Sequence, residues 1–215
     1  MIRPVTLRDD FVPLAELLNR AFAPVAEAFG LTRENSPNHN AFITGSELKA
    51  QLTGNREFYL WTEQEQEQEQ EQEQAQEQEQ EQEQEQEQAH AQEEANEKEE
   101  KKRARIQGSR QELPVGFIAI ERSASAPGTF YIEKVAVRPR YRHAGVGRRM
   151  MEFATERIAA LGGKRISIGL IDSHNVLKSW YADQGYVQTA VRNFAHLPFE
   201  VCLMEKKLID RAKKS

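Results

Sequence analysis

A chain of 215 residues suits one domain, yet its mean hydropathy of −0.74 is too polar for a compact chain unless one segment carries the polarity. One does: Glu63 to Gln88 is thirteen dipeptides, twelve Glu-Gln and one Ala-Gln, continued to Arg105 by Glu, Ala and Gln and then Lys and Arg. Residues 63–105 hold 17 Glu against 5 Lys and Arg, so the remainder, with 24 Lys and Arg against 17 Asp and Glu, is a basic body suited to a polyanionic ligand although the whole chain is formally −5.

The N-terminus, MIRPVTLRDD, has no apolar signal core, and no run reaches the ~18 apolar residues of a membrane span. An intracellular protein without a membrane partner is expected, cytoplasmic rather than nuclear, although Lys101-Lys102-Arg103-Ala104-Arg105 leaves a nuclear signal open. Ile2 to Leu7 reads as a first strand, with Pro4 acceptable only at an edge or a strand start, and Asp9 and Asp10 open a helix that buries Leu14, Leu17, Leu18, Ala21 and Phe22. Beyond Pro24 come a second apolar patch, Val25 to Phe29, and a polar loop from Arg33 to Asn40. Ser46 and Glu47 can cap a short helix through Leu52, and Phe58 to Trp61 read as strand two.

The Glu/Gln tract fills the turn between strands two and three, where ~2–5 residues would serve. Glu at every second position places like charges at i,i+4, which opposes an isolated helix, so disorder or partial helix is expected. Its roles stay open between a solvated insertion, an acidic arm for a protein partner, and an internal competitor for basic ligands. Leu113 to Ser123 is strand three, with Val115, Phe117 and Ala119 on one face and Ile118 and Ile120 on the other, hence a central strand. Phe130 to Val137 is strand four, stopped by Pro139, and Met150, Phe153, Ala154, Ile158 and Leu161 mark a helix from near Gly147 to Gly162-Gly163. Arg165 to Ile171 is strand five. Asp172 and Ser173 can cap the helix that carries Trp180 and Tyr181, and Tyr186–Val191 and Glu200–Leu208 close the chain as strands, the last holding the lone Cys202 as a buried thiol. The expected architecture is a mixed, mostly antiparallel sheet of about seven strands with helices on both faces: one domain from 1–62 and 106–215, interrupted by 63–105.

Two stretches carry chemistry. Between strand four and its helix lies Arg142-His143-Ala144-Gly145-Val146-Gly147, where glycines lacking Cβ let backbone amides approach a ligand at a helix N-terminus and Arg142, Arg148 and Arg149 add positive charge. That is an anion cradle fit for a diphosphate; alone, it could also be a tight turn on a basic surface. Downstream stands Asn175-Val176-Leu177-Lys178-Ser179-Trp180-Tyr181-Ala182-Asp183-Gln184-Gly185-Tyr186. The glycine loop resembles the acetyl-CoA-binding motif of the GNAT superfamily of N-acyltransferases, Gln or Arg, two residues, Gly, one residue, Gly or Ala. The downstream stretch is similar to the family's Asn, aromatic-Tyr, Gly-aromatic signature at the expected spacing. A dinucleotide-binding reading is weaker, since Gly-x-Gly-x-x-Gly would need glycine where Met150 stands.

The resemblance implies a GNAT-like fold and an acetyl-CoA-dependent N-acetyltransferase with acetyl-CoA as co-substrate, a primary amine on a small molecule or peptide as acceptor, no metal, and no nucleic-acid partner. A non-catalytic acyl-CoA-binding module is the alternative. It implies that backbone at Val135, Ala136 and Val137 pairs with the pantetheine arm and polarises the thioester. The diphosphate would fall to Arg142, His143, Ala144, Gly145, Val146, Gly147 and Arg148. Asn175 would reach pantetheine or substrate, or else cap its helix. Tyr181 matches the proton donor to the departing thiolate, unless it is a core tyrosine. Glu133 shares a strand face with Tyr131 and Val135 and can serve as base or form a cross-strand salt bridge. In the family the Arg33–Asn40 region walls the acceptor side, so His39 and Glu34 can meet substrate or simply be solvated. Protein N-terminus acetylators of the superfamily tend to carry a glutamate where this chain has Leu170, which counts against such a substrate.

Overall fold

The computed structural model describes residues 1–63 and 113–208. The Glu/Gln tract and the Lys101–Arg105 cluster lie outside the described residues. Seven strands form one sheet, in the order β1-β2-β3-β4-β5-β7-β6: β1 Ile2–Pro4, β2 Arg56–Glu63, β3 Leu113–Arg122, β4 Thr129–Val137, β5 Arg165–Ile171, β6 Val187–Asn193 and β7 Glu200–Lys207. β4 and β5 run parallel, whereas β1–β2, β3–β4, β5–β7 and β6–β7 are antiparallel. This is the mixed, mostly antiparallel sheet the sequence implied.

β1 ends at Pro4 rather than Leu7, because the next residues turn: Thr6 N and Oγ1 both donate to Asp9 Oδ2, at 2.8 and 3.0 Å. Helix α1 spans Phe11–Ala28, capped by Asp10 Oδ1, which accepts from Val12 N at 2.9 Å. Its buried face is Leu14, Leu17, Leu18 and Ala21 as expected, but it continues through Pro24, and the patch Val25 to Phe29 forms its last turn and C-cap. Pro24 removes one helical donor, and packing of Val25, Ala26 and Phe29 with Leu31, Phe42 and Ile171 holds that turn in place. Helix α2, Gly45–Ala50, starts earlier than Ser46: Thr44 is the N-cap, in a capping box with Glu47.

Helix α3 spans Val146–Ala160 and helix α4 Asn175–Ala182. The sheet buries both faces. Ile118, Ile120, Ile132, Ile166 and Ile168 pack with Met150, Met151, Ala154 and Ile158 of α3, while Phe58, Phe117, Ala119 and Ala136 pack with Leu14, Leu17 and Leu18 of α1 and Leu48 of α2. Each Leu, Ile, Phe or Met among them contributes about 1.5–3 kcal/mol on burial. β3 is thus central, as its sequence indicated, although Val115 joins the α3 side rather than the face of Phe117. Cys202 is fully buried on β7, and burial raises its thiol pKa. Among the described residues no helix is long and apolar enough to cross a membrane.

Candidate active site

The chain leaves β4 through a 3-10 turn, Pro139–Tyr141, and then winds by left-handed steps: His143 has φ 64° and Gly145, the N-cap of α3, φ 77°. Such alternation aims successive amides into one concavity. Among the described residues no side chain caps α3, no acid stands in its first turn, and the first helical amide to find a partner is Arg149 N, on Gly145 O at 3.1 Å. The amides from His143 through Arg148 donate to no protein acceptor among the described residues. A helix N-terminus left this way holds orphan donors and the positive end of the helix dipole, which together make an anion site.

The side chains of the loop divide the work. Ala144, Gly145 and Arg148 are exposed, and Val146 is buried. Arg149 lies over the indole of Trp61, 5.3 Å from its centroid. Arg142 is directed inward: Nη2 donates to Ala21 O of α1 at 2.6 Å and Nε to Val137 O at 3.4 Å, so its guanidinium ties the loop to the end of β4 and to the turn of α1 before Pro24. The two glycines differ as well. A Cβ on Gly145 would meet nothing within 4 Å, and its φ alone calls for glycine; a Cβ on Gly147 would face Trp180.

β4 itself is irregular where the thioester was expected. Its register against β3 shifts between Phe117↔Ala136 and Ala119↔Glu133, three steps on β4 against two on β3, and within the extra residue's span Lys134 has φ 53°. Pairing to parallel β5 covers only Thr129↔Arg165, Phe130↔Ile166 and Tyr131↔Ser167. β5 continues along β7 to Ile171, so beyond Tyr131 the β4 edge facing β5 has no strand partner among the described residues. Val135, Ala136 and Val137 lie on that open edge, and Val137 flanks Gly147 of the amide cradle.

Tyr181, on α4, packs edge-on against Trp180 and Tyr186, with ring centroids 4.9 and 5.6 Å away. Its ring belongs to the core, burial raises its pKa, and its hydroxyl bonds no protein group among the described residues. The Tyr186 hydroxyl, by contrast, is fully enclosed and has no partner among the described residues. Glu133 shows the cross-strand pairing: Arg56 Nη2 lies 3.2 Å from its carboxylate, while Arg56 also binds Glu121 through Nε at 2.9 Å. Asn175 is exposed and occupies the first helical position of α4. The cap is His174, whose Nδ1 accepts from Leu177 N at 3.3 Å, and Asp172 pairs instead with Lys178 at 3.1 Å. His39 is packed rather than solvated, its ring near Phe22 and Phe42 and its Nδ1 accepting from Ala41 N, and burial pushes its pKa down. Glu34 is exposed. Two residues gave no signal in the sequence. Lys134 has the pattern of an ordinary strand position, and His174 is a cap of a type outside the usual Ser, Thr, Asp and Asn.

The family model described as "Acetyltransferase (GNAT) family" matches residues 55–186. The PaiA N-acetyltransferase of Thermoplasma acidophilum, solved with coenzyme A, is 14% identical with a TM-score of 0.54, over 97% of this chain and 98% of that one. A GNAT family acetyltransferase from Elizabethkingia anophelis, solved with acetyl-CoA bound, is 14% identical with a TM-score of 0.53, over 97% of each chain. An aminoglycoside 6'-acetyltransferase type Ii is 14% identical with a TM-score of 0.56, over 98% of this chain and 99% of that one. At such identities the likeness is one of fold. No curated protein sequence matches the chain.

Proposed function

The chain belongs to the GNAT acetyltransferase family, and from that premise we propose that it is an N-acetyltransferase that moves an acetyl group from acetyl-CoA to a primary amine of a small molecule or peptide, by direct attack. The observation that carries this reading is the uncapped start of α3, where the amides of His143 through Arg148 have no protein acceptor among the described residues and Arg148 adds an exposed positive charge. Those groups suit a diphosphate, and the open β4 edge at Val135, Ala136 and Val137, flanking that cradle, suits the extended amide-bearing arm that follows it.

When bound, acetyl-CoA supplies an activated acetyl group; the chain supplies placement, charge and protons. Free peptide N–H groups on the β4 edge are donors of the kind that stabilise negative charge on a carbonyl oxygen. Tyr181 is the proton donor to the leaving sulfur: its hydroxyl has no competing partner among the described residues, and burial holds it protonated well beyond neutral pH. Glu133 is the candidate base on the β4 face, acting from its ion pair with Arg56 directly or through water. Asn175, free of capping duty, is available to the ligand at the start of α4. The catalytic domain comprises 1–62 and 106–215, with 63–105 an insertion.

Release of CoA thiol from acetyl-CoA in the presence of amines, polyamines, amino acids and basic peptides, combined with an acetyl-CoA-dependent melting shift, tests the reading. A shift without turnover of any acceptor would support a non-catalytic acyl-CoA-binding module, and no shift would remove the cofactor assignment.

A further inference from the structure

Lys134 occupies the β4 irregularity in left-handed backbone, and its side chain runs to the connector between α1 and α2, where Nζ donates to Asn40 Oδ1 at 2.9 Å. That connector is itself fixed, since Asn19 Nδ2 donates to Asn40 O at 3.0 Å and to Ile43 O at 3.1 Å. The bond to Asn40 is the ammonium's one hydrogen bond or ion pair among the described residues, and its acceptor is neutral. An ammonium has three donors, so two stay undirected. The nearby carboxylates are committed elsewhere: Arg56 holds both Glu133 and Glu121. On the other side stands His39, wedged between Phe22 and Phe42 and kept toward its neutral form by burial and by the Lys134 charge. Burial also pushes the Lys134 pKa down, the mark of a cation that its surroundings do not fully compensate. A half-buried cation without a counter-ion in contact is costly to keep unless something else supplies the anion.

The position of this charge gives it a use. Lys134 directly precedes Val135, Ala136 and Val137, and it projects toward α1 and its connector, away from the α3 face of the sheet. We propose that Lys134 Nζ anchors a carboxylate of the acceptor, so that the amine acetylated by this protein belongs to the amino-acid class, carrying its anionic group beside the reacting nitrogen. This rests on the acetyl-transfer reading above. Asn40 orients the ammonium, and the Phe22, His39 and Phe42 cluster offers an apolar wall for a side chain. Polycationic acceptors are disfavoured, because Glu133 and Glu121, the carboxylates whose charge reaches Lys134, are both held by Arg56.

The test compares the full-length protein acting on matched pairs: phenylalanine against phenethylamine, lysine against cadaverine, histidine against histamine, each with acetyl-CoA and detection of CoA thiol. The expected result is a higher kcat/KM for the amino acid in each pair by roughly tenfold to a hundredfold, the range of a charge-assisted hydrogen bond, expressed mainly in KM. Lys134→Met should bring that ratio to about one and Lys134→Arg should keep part of it. Asn40→Asp, which supplies Lys134 with a competing carboxylate, should also reduce it. Wild-type preference for the decarboxylated partners, or a ratio unmoved by Lys134→Met and Asn40→Asp, would overturn the inference. Acetyl-CoA binding with no turnover of any carboxylate-bearing amine would overturn it while leaving acetyl-CoA recognition standing. Absence of any acetyl-CoA-dependent melting shift would remove the underlying reading and this inference with it.

Discussion

Gly147 presents its missing side chain to the indole of Trp180: a Cβ there would lie 3.4 Å from Cζ2 and 3.7 Å from Cη2, with Val137 Cγ2 at 3.8 Å. The second glycine of the Arg142–Gly147 loop therefore touches the aromatic residue of the downstream motif, and the end of β4 completes the contact. These are ordinary van der Waals separations. Gly147→Ala is accordingly expected to melt at or above the wild-type temperature, since alanine in a helix gains up to about 1 kcal/mol over glycine. Gly147→Trp must displace Trp180, at a cost of about 1–3 kcal/mol, and should lose the acetyl-CoA-dependent shift. A Gly147→Ala protein melting several degrees lower would contradict the contact as described.

The arginines of the loop should separate by mechanism. Arg142→Met withdraws the donor from Ala21 O and Val137 O and is expected to destabilise the fold by about 1–3 kcal/mol, read in urea denaturation. Arg148→Glu changes an exposed side chain and should leave stability within about 0.5 kcal/mol. It should weaken acetyl-CoA binding nonetheless, and the loss should shrink as salt is raised. Equal effects of the two variants on stability would show that the Arg142 bonds contribute nothing.

Much of this was legible in the sequence where a local pattern decided the matter. Arg165 to Ile171, an apolar run between Gly162-Gly163 and Asp172-Ser173, is β5 to the residue, and the doubly buried alternation of β3 placed it in the middle of the sheet. What escaped depends on partners distant in the chain. The bond from Arg142 to Ala21, 121 positions away, leaves no trace in the arginine's own neighbourhood. The bulge that turns Lys134 toward Asn40 is a mismatch between two strands and exists in neither strand alone. Pro24 separates two apolar stretches in the sequence, and packing around Ala26 carries a single helix through it.

Replacing residues 63–105 with a short Gly-containing turn should leave a cooperative fold that still binds acetyl-CoA, because the tract from Glu63 to Gln88 offers no apolar side chain larger than alanine. Circular dichroism and thermal shift on the deletion protein check this. Loss of cooperative unfolding would count against the tract as an insertion. Tighter acetyl-CoA binding, most marked at low salt, would identify the acidic tract as a competitor of the anionic ligand.

Stability should fall on the alkaline side. Tyr59 donates to Glu57 Oε2 at 2.7 Å, and burial followed by that hydrogen bond raises its pKa to about 12; burial likewise raises Tyr181 and Tyr186. The unfolded chain releases these protons near pH ~10 and the folded chain does not, so above that pH the folded state binds more protons. The contribution is complete below about pH 10 and is lost as pH rises toward the folded values. Urea midpoints from roughly pH 8 to pH 11 should decline, less steeply in Tyr59→Phe. Midpoints independent of pH across that range would argue that the tyrosines ionise freely in the fold.

Tyr181→Phe keeps the ring among Trp180 and Tyr186 and removes only the hydroxyl. A tyrosine holding a buried hydrogen bond would lose about 1–3 kcal/mol on that change, but the Tyr181 hydroxyl has no such bond among the described residues. The melting temperature should therefore stay close to wild type. If the hydroxyl acts only as the thiolate departs, kcat should fall by roughly 10²–10⁴-fold while acetyl-CoA affinity barely moves, since an interaction made only in the transition state changes kcat alone. Tyr186→Phe is the internal control: it removes from the neighbouring ring an enclosed hydroxyl with no partner among the described residues and should be neutral or slightly stabilising. Measuring kcat, the acetyl-CoA dissociation constant and the melting temperature for both variants separates catalysis from packing. Unchanged kcat in Tyr181→Phe would remove this hydroxyl from proton transfer, and the donor would then have to be water or another group at the open β4 edge.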